Sequence, residues 1–154
     1  MKVLNKLLLA LGLATFAHFS LAHGDVTPQA VDTSSLPQLG ATWKEVNPYR
    51  NTKNSEIMRI GSSAYNQNCA RCHGLEAISG GVAPDLRKTD SDCTDLADAA
   101  KKSACYNEID NYFATVVRNG RVRNGAVYMP PFEGILQQEA VWAIKAYVES
   151  RREK

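Results

Sequence analysis

Histidine is scarce in this chain, at three of 154 residues, and from Ser55 onward only His73 remains. A zinc site needs several histidine or cysteine ligands at set spacings, so the composition argues against one. Methionine is equally sparse: Met1, Met58 and Met129. After residue 22 no run approaches the ~20 apolar residues needed to span a bilayer. No sustained period-two pattern predicts a strand, and no internal repeat occurs. A net charge of one sign is missing as well. The chain holds 18 basic and 16 acidic residues; without Lys2 and Lys6, which lie in an expected leader, 16 of each remain and the charge is zero. That gives no support for nucleic-acid binding, which leans on a clustered positive surface, although local patches are not visible from composition. No nucleophile or acid–base constellation stands out, which argues against an enzyme.

Hydrophobic residues make up 44% of the chain, ordinary for a folded domain. Residues 1–22 have the pattern of a secretory signal peptide. Lys2 and Lys6 supply the positive start, Leu7 to Phe19 an apolar run, and Ser20-Leu21-Ala22 the small residues before cleavage. The mature chain is expected to start at His23, in the periplasm, with no stable membrane insertion after cleavage. In that oxidising setting four cysteines are expected to be covalently committed.

Residues 23–54 read as an irregular arm, interrupted by Pro28, Pro37 and Pro48. It either lies against the domain through Trp43 and Tyr49 or forms a flexible tail. Residues 55–154 form the domain. Ile57, Ile60, Ala64 and Tyr65 fall on one face of a first helix with Ser55 as N-cap. Gly74 to Asp92 is a loop. A second helix is predicted from Asp92 or Thr94, and a third from Asn107 to about Val117, closed by Arg118-Asn119-Gly120. Arg121 to Phe132 is expected as loop. The last helix covers Gln137 to Ser150, with Val141, Ile144, Tyr147 and Val148 as its stripe and Trp142 beside it. The fold class is all-α.

Cys69-Ala70-Arg71-Cys72-His73 has the Cys-x-x-Cys-His spacing of c-type haem attachment. Two thiols can each form a thioether with one haem vinyl group, and the adjacent histidine is then held under the iron. A dithiol redox site would be expected to follow a strand, and none is predicted. For the sixth ligand, Met58 lies within the first helix, whereas Met129 sits beside Pro130-Pro131, which stiffen its backbone. His73 and Met129 together would form the His/Met pair of an electron-transfer haem.

Residues 55–150 resemble a class I cytochrome c domain, which implies four to five helices around one covalently attached haem. Gly61, eight residues before Cys69 with Tyr65 between, matches the family's first helix. The resemblance implies that the last helix crosses at this glycine and packs through Tyr147. Ala83-Pro84-Asp85-Leu86 is similar to the family's loop in which a proline carbonyl accepts the histidine Nδ1 proton, a role that would fall to Pro84. A closer resemblance is to the c-550 cytochromes of the PedF type, through residues 23–30, Asn47-Pro48-Tyr49-Arg50 and the run from Ser62 to Lys88. It implies a soluble monomeric one-electron carrier. Its donor would be a quinoprotein (PQQ-dependent) alcohol dehydrogenase, oxidising ethanol, and its acceptor a downstream cytochrome or terminal oxidase.

Cys93 and Cys105 lack the spacing for a second haem. A disulfide between them and a pair of free thiols are the two readings. Arg118, Arg121 and Arg123 precede the methionine loop; a propionate contact, an acidic partner and plain solvation all remain open for them. Two alternatives to a carrier are a sensor or reductase with an open sixth site, and a dehydrogenase subunit tethered by the arm.

Overall fold

The computed structural model describes residues 27–153. The expected leader and the start at His23 lie outside the described residues. Among the described residues, five α-helices carry the fold: α1 Ser55–Asn68, α2 Ala70–His73, α3 Ser91–Thr94, α4 Ala99–Asn119 and α5 Gln138–Ser150. Two 3-10 turns, Leu75–Ala77 and Leu86–Lys88, shape the loop after α2.

Helix α1 begins at Ser55, one residue earlier than a cap at that position would imply. Asn54, not Ser55, is the N-cap: its side-chain oxygen accepts from the Glu56 backbone N–H at 2.9 Å. Either type can cap a helix; here the extended backbone falls at Asn54, which leaves Ser55 inside the helix. Helix α4 starts at Ala99, well before the predicted Asn107, because Asp98 caps it by accepting from Lys101 N at 2.8 Å. Residues 99–106 are mostly exposed, so this first stretch had little apolar periodicity to betray it.

A third correction concerns the segment 121–129. Arg121–Arg123 (β1) and Ala126–Met129 (β2) pair as an antiparallel hairpin. Asn124 and Gly125 form its two-residue turn with φ of 52° and 79°, the pair of positive values that favours Asn-Gly in such turns. That dipeptide was the signal in the sequence; strands of three and four residues were too short to show alternation.

Helices α1 and α5 cross at Gly61. A β-carbon there would lie 2.2 Å from the Ala143 carbonyl oxygen, so only glycine permits the approach. The Tyr65 and Tyr147 rings pack at a tilt of 47° beside the crossing, with centroids 5.3 Å apart.

Helix α5 is buried on nearly every side from Gln138 to Glu149, because α1 covers one face and the arm covers another. The arm has no regular element, yet Leu36 and Tyr49 are 4% exposed. Tyr49 Oη donates to Pro37 O at 2.6 Å. Leu39 N donates to Glu139 Oε1 at 2.7 Å, and Lys44 N to Gln138 Oε1 at 3.1 Å. The packed reading of the arm therefore holds for residues 27–54.

That cover also encloses charge. Lys145 is 1% exposed, with Nζ 3.2 Å from Glu149 and 3.6 Å from Asp90. Arg50 of the arm meets Asp110 and Glu149, and Arg152 meets Asp90. Desolvation works most strongly against ionised Asp90, yet Arg152 and Lys145 hold its carboxyl below the usual range.

Candidate haem site

Cys69 ends α1: its N–H donates to Tyr65 O at 2.8 Å. The chain then turns at once into α2, with Cys72 N and His73 N both directed to Cys69 O, at 3.1 and 2.9 Å. This tight turn brings two thiols and an imidazole to one end of α1. Gly74 (φ 79°) lets the chain reverse behind them, since a β-carbon there would lie 1.8 Å from Ile78 O. Tyr65 Oη donates to Gly74 O at 2.8 Å, so the buried aromatic of α1 also anchors the turn after His73.

His73 Nδ1 lies 2.9 Å from Pro84 O. A carbonyl only accepts, so this contact assigns the proton to Nδ1 and leaves Nε2 with its lone pair free to bind a metal. The 79–85 loop is itself held. Ser79 Oγ donates to Ala83 O, and Gly81 N donates to Ser79 Oγ at 3.0 Å. Asp85 caps the following turn by accepting from Arg87 N at 3.0 Å, and the Arg87 guanidinium holds its carboxyl down at about 2.

Met129 closes strand β2. Gly120 positions it: a β-carbon at Gly120 would lie 2.4 Å from Met129 O, so Met129-Pro130-Pro131 folds closely over the end of α4. Phe132 N and Glu133 N then donate to Val117 O and Arg118 O, at 3.0 and 3.1 Å. Met129 packs on the same core cluster as Cys69, Ala70 and Leu86. Met58 also packs there, but from within α1.

Burial pushes the Cys69 thiol up to about 12, with Cys72 adding to the effect. A dithiol redox site needs the opposite, a thiol depressed toward neutral pH. The site does fit a haem. It offers two thiols and an imidazole with a free Nε2, and a soft thioether packs on the same cluster. Leu75, Ile78 and Val82 after the motif and Val127 before Met129 are exposed by 49–72%, an apolar lining that a flat macrocycle would cover. Cys69, Cys72, His73 and Met129 would hold it, with Pro84 orienting the histidine, and the bound group would supply the one-electron iron couple.

Elsewhere, Cys93 and Cys105 form a disulfide with Cα atoms 5.6 Å apart, joining α3 to α4. The three arginines have separate surroundings. Arg118 pairs with Glu133 and lies over the Trp43 ring at 4.4 Å, while Arg121 lies over the Tyr112 ring at 5.2 Å. Sequence reasoning missed Tyr128, whose hydroxyl donates to Val82 O at 2.8 Å. The register slips between Arg121 and Val122, which makes Tyr128 an extra residue and turns its side chain toward the 79–85 loop. No pattern in the sequence announces such a slip.

A crossed helix pair, a Cys-x-x-Cys-His turn and a methionine loop over one helix end are the features of a class I c-type cytochrome, and the chain belongs to that family. The family model described as cytochrome c oxidase, cbb3-type, subunit III matches residues 56–148. The chain is 50% identical to cytochrome c550 of Pseudomonas aeruginosa, over 96% of this chain and 93% of that one. Its relationship is thus to an electron carrier rather than an enzyme. Two Pseudomonas putida proteins also match. Quinohemoprotein alcohol dehydrogenase ADH IIB is 34% identical over 62% of this chain and 11% of its own, and ADH-IIG 33% identical over 61% and 10%. No solved structure matches the chain.

Proposed function

We propose that this cytochrome is a periplasmic, monomeric carrier with one covalent haem c bound through Cys69 and Cys72. His73 and Met129 would supply the protein ligands to its iron. Its donor is a PQQ-dependent alcohol dehydrogenase acting on ethanol, and it passes electrons on to a downstream cytochrome or terminal oxidase. The observation that carries the ligand assignment is the 2.9 Å contact from His73 Nδ1 to Pro84 O, which presents Nε2 for ligation. The likeness to stretches of two quinohemoprotein alcohol dehydrogenases supports the donor. Those enzymes hold a similar stretch within their own chains, and a separate carrier would take the same electrons from outside. Alcohol oxidation releases two electrons and the carrier takes one, so two copies serve each turnover. Within this chain no proton need move: Nδ1 stays on Pro84, and the buried ion pairs remain matched.

The test is stopped-flow mixing of the oxidised holoprotein with a reduced quinoprotein alcohol dehydrogenase. Fast haem reduction with this donor, and slow reduction with an unrelated dehydrogenase, is the expected result. Equal rates would remove the donor assignment. Carbon monoxide addition to the reduced protein tests Met129 separately, since rapid stoichiometric binding at neutral pH would mean an open sixth position. The arm, spent on covering α5, offers no support for a tethered subunit, and elution as a small species is expected.

A further inference from the structure

Tyr128 stands on the surface, exposed by 58%, yet its hydroxyl is not left to water. It donates to Val82 O at 2.8 Å, joining positions 46 residues apart. The bond runs from the residue beside Met129 to a loop residue two places before Pro84. It therefore links the segment that carries the candidate thioether to the segment that supports the candidate imidazole.

The backbone is bent to make this bond. Arg121 pairs with Met129 and Val122 with Val127, which leaves Tyr128 outside the ladder. Such a bulge sacrifices ladder pairing and re-aims one side chain. A regular register would have kept residue 128 within the two-faced alternation of the hairpin. The slip instead delivers the phenol to the 79–85 loop.

That loop gains an anchor from outside itself. Its internal bonds, Ser79 Oγ to Ala83 O and Gly81 N to Ser79 Oγ at 3.0 Å, set its shape and not its position. A β-carbon on Gly80 or Gly81 would meet nothing within 4 Å, so the tip stands clear of the domain. Tyr128 holds the loop from the strand, while Pro84 O faces His73 Nδ1 at 2.9 Å. On the strand side, Met129 is already pressed against Gly120. One hydroxyl thus ties the loop around Pro84 to a strand whose end is fixed.

Hydrogen bonds behind a ligand orient it and tune the metal it binds, and supports locked in advance hold that geometry best. We propose that Tyr128 is a positioning residue for both His73 and Met129, clasping the methionine strand to the proline loop. It acts on His73 through Val82 and Pro84, and on Met129 through the backbone of its neighbour. Without the clasp, strand and loop part more readily and the thioether side opens. The inference rests on the His73/Met129 ligation proposed above, but not on the identity of the donor.

The test compares four holoproteins. They are wild type, Tyr128→Phe, Tyr112→Phe as a second exposed tyrosine that keeps its ring, and Cys93→Ser/Cys105→Ser as a fold weakened elsewhere. Two quantities are read: the rate of carbon monoxide binding to the reduced protein, and amide exchange of residues 79–85 by mass spectrometry. One neutral hydrogen bond shifts an opening equilibrium by about fivefold. Tyr128→Phe is therefore expected to raise both quantities by about that factor, with the other two variants matching wild type. A wild-type value of either quantity in Tyr128→Phe would overturn the clasp. So would an equal rise in the disulfide variant, because the effect would then be one of general stability. Rapid stoichiometric carbon monoxide binding already in wild type would overturn the ligation, and the proposal with it. Slow wild-type binding that Tyr128→Phe leaves unchanged would overturn the proposal alone.

Discussion

Gly61 lies so close beneath Ala143 that a β-carbon on it would stand 2.2 Å from the Ala143 carbonyl oxygen and 3.2 Å from Tyr147 Cβ. This approach sets the α1–α5 crossing, and through Tyr65 it sets the turn that carries His73. Gly61→Ala must separate the helices, because its neighbour is backbone and cannot rotate away. A loss of about 2–3 kcal/mol is expected in denaturant unfolding of the holoprotein. An unchanged midpoint would mean that the crossing is not tight.

The Cys93–Cys105 bridge closes a short loop between α3 and α4. Replacing both cysteines by serine should cost roughly 3 kcal/mol, mainly by freeing the unfolded chain. The visible spectrum should stay the same, since the bridge is remote in sequence from Cys69 and Met129. Thiol titration of denatured, unreduced protein should find no free thiol at Cys93 or Cys105.

Lys145 is the buried cation among Asp90, Asp110 and Glu149. Lys145→Met keeps much of the volume but leaves those carboxylates short of one positive charge. The expected loss is about 3–5 kcal/mol, the usual cost of breaking a buried pair from one side. Unfolding at neutral pH measures it, and a loss below about 1 kcal/mol would show that the cluster is open to solvent.

Acid should weaken the fold within a defined window. Glu56, held by Arg59 and Ser35, falls from an ordinary 4.5 to about 2, and Asp85, held by Arg87, from 3.8 to about 2. Both folded values are depressed, so the unfolded state takes up protons first. The stability these groups contribute is complete above pH about 4.5 and is lost as pH falls toward 2. Arg87→Gln should flatten the Asp85 share of that slope in unfolding measured from pH 5 to 2. An unaltered slope would count against the Asp85–Arg87 pair.

Removing the thioether tests the distal side. Met129→Ala should give carbon monoxide access to the reduced iron and lower the potential, because a thioether favours the reduced state. Met58→Leu should change neither. Ligand binding by spectroscopy and a redox titration check both variants.

The Cys-x-x-Cys-His motif was legible because its pattern is local: Cys69, Cys72 and His73 lie within five residues. The helical stripes of α1 and α5 were legible for a related reason, since periodicity records the face that will be buried. The hairpin was half legible, through Asn124-Gly125 alone. The start of α4 was not legible, because residues 99–106 bury little and their helix rests on a cap.

What the sequence by itself determined is the Cys-x-x-Cys-His spacing, the helical class and the glycine that lets two helices meet, all written in spacing and residue type. Tertiary structure decided the rest. It folded the arm over α5, enclosed Lys145 with its carboxylates, brought Pro84 to His73 and laid Arg121 over the Tyr112 ring. Those outcomes depend on segments far apart in the chain arriving together, and charge compensation and burial exist only once they have met.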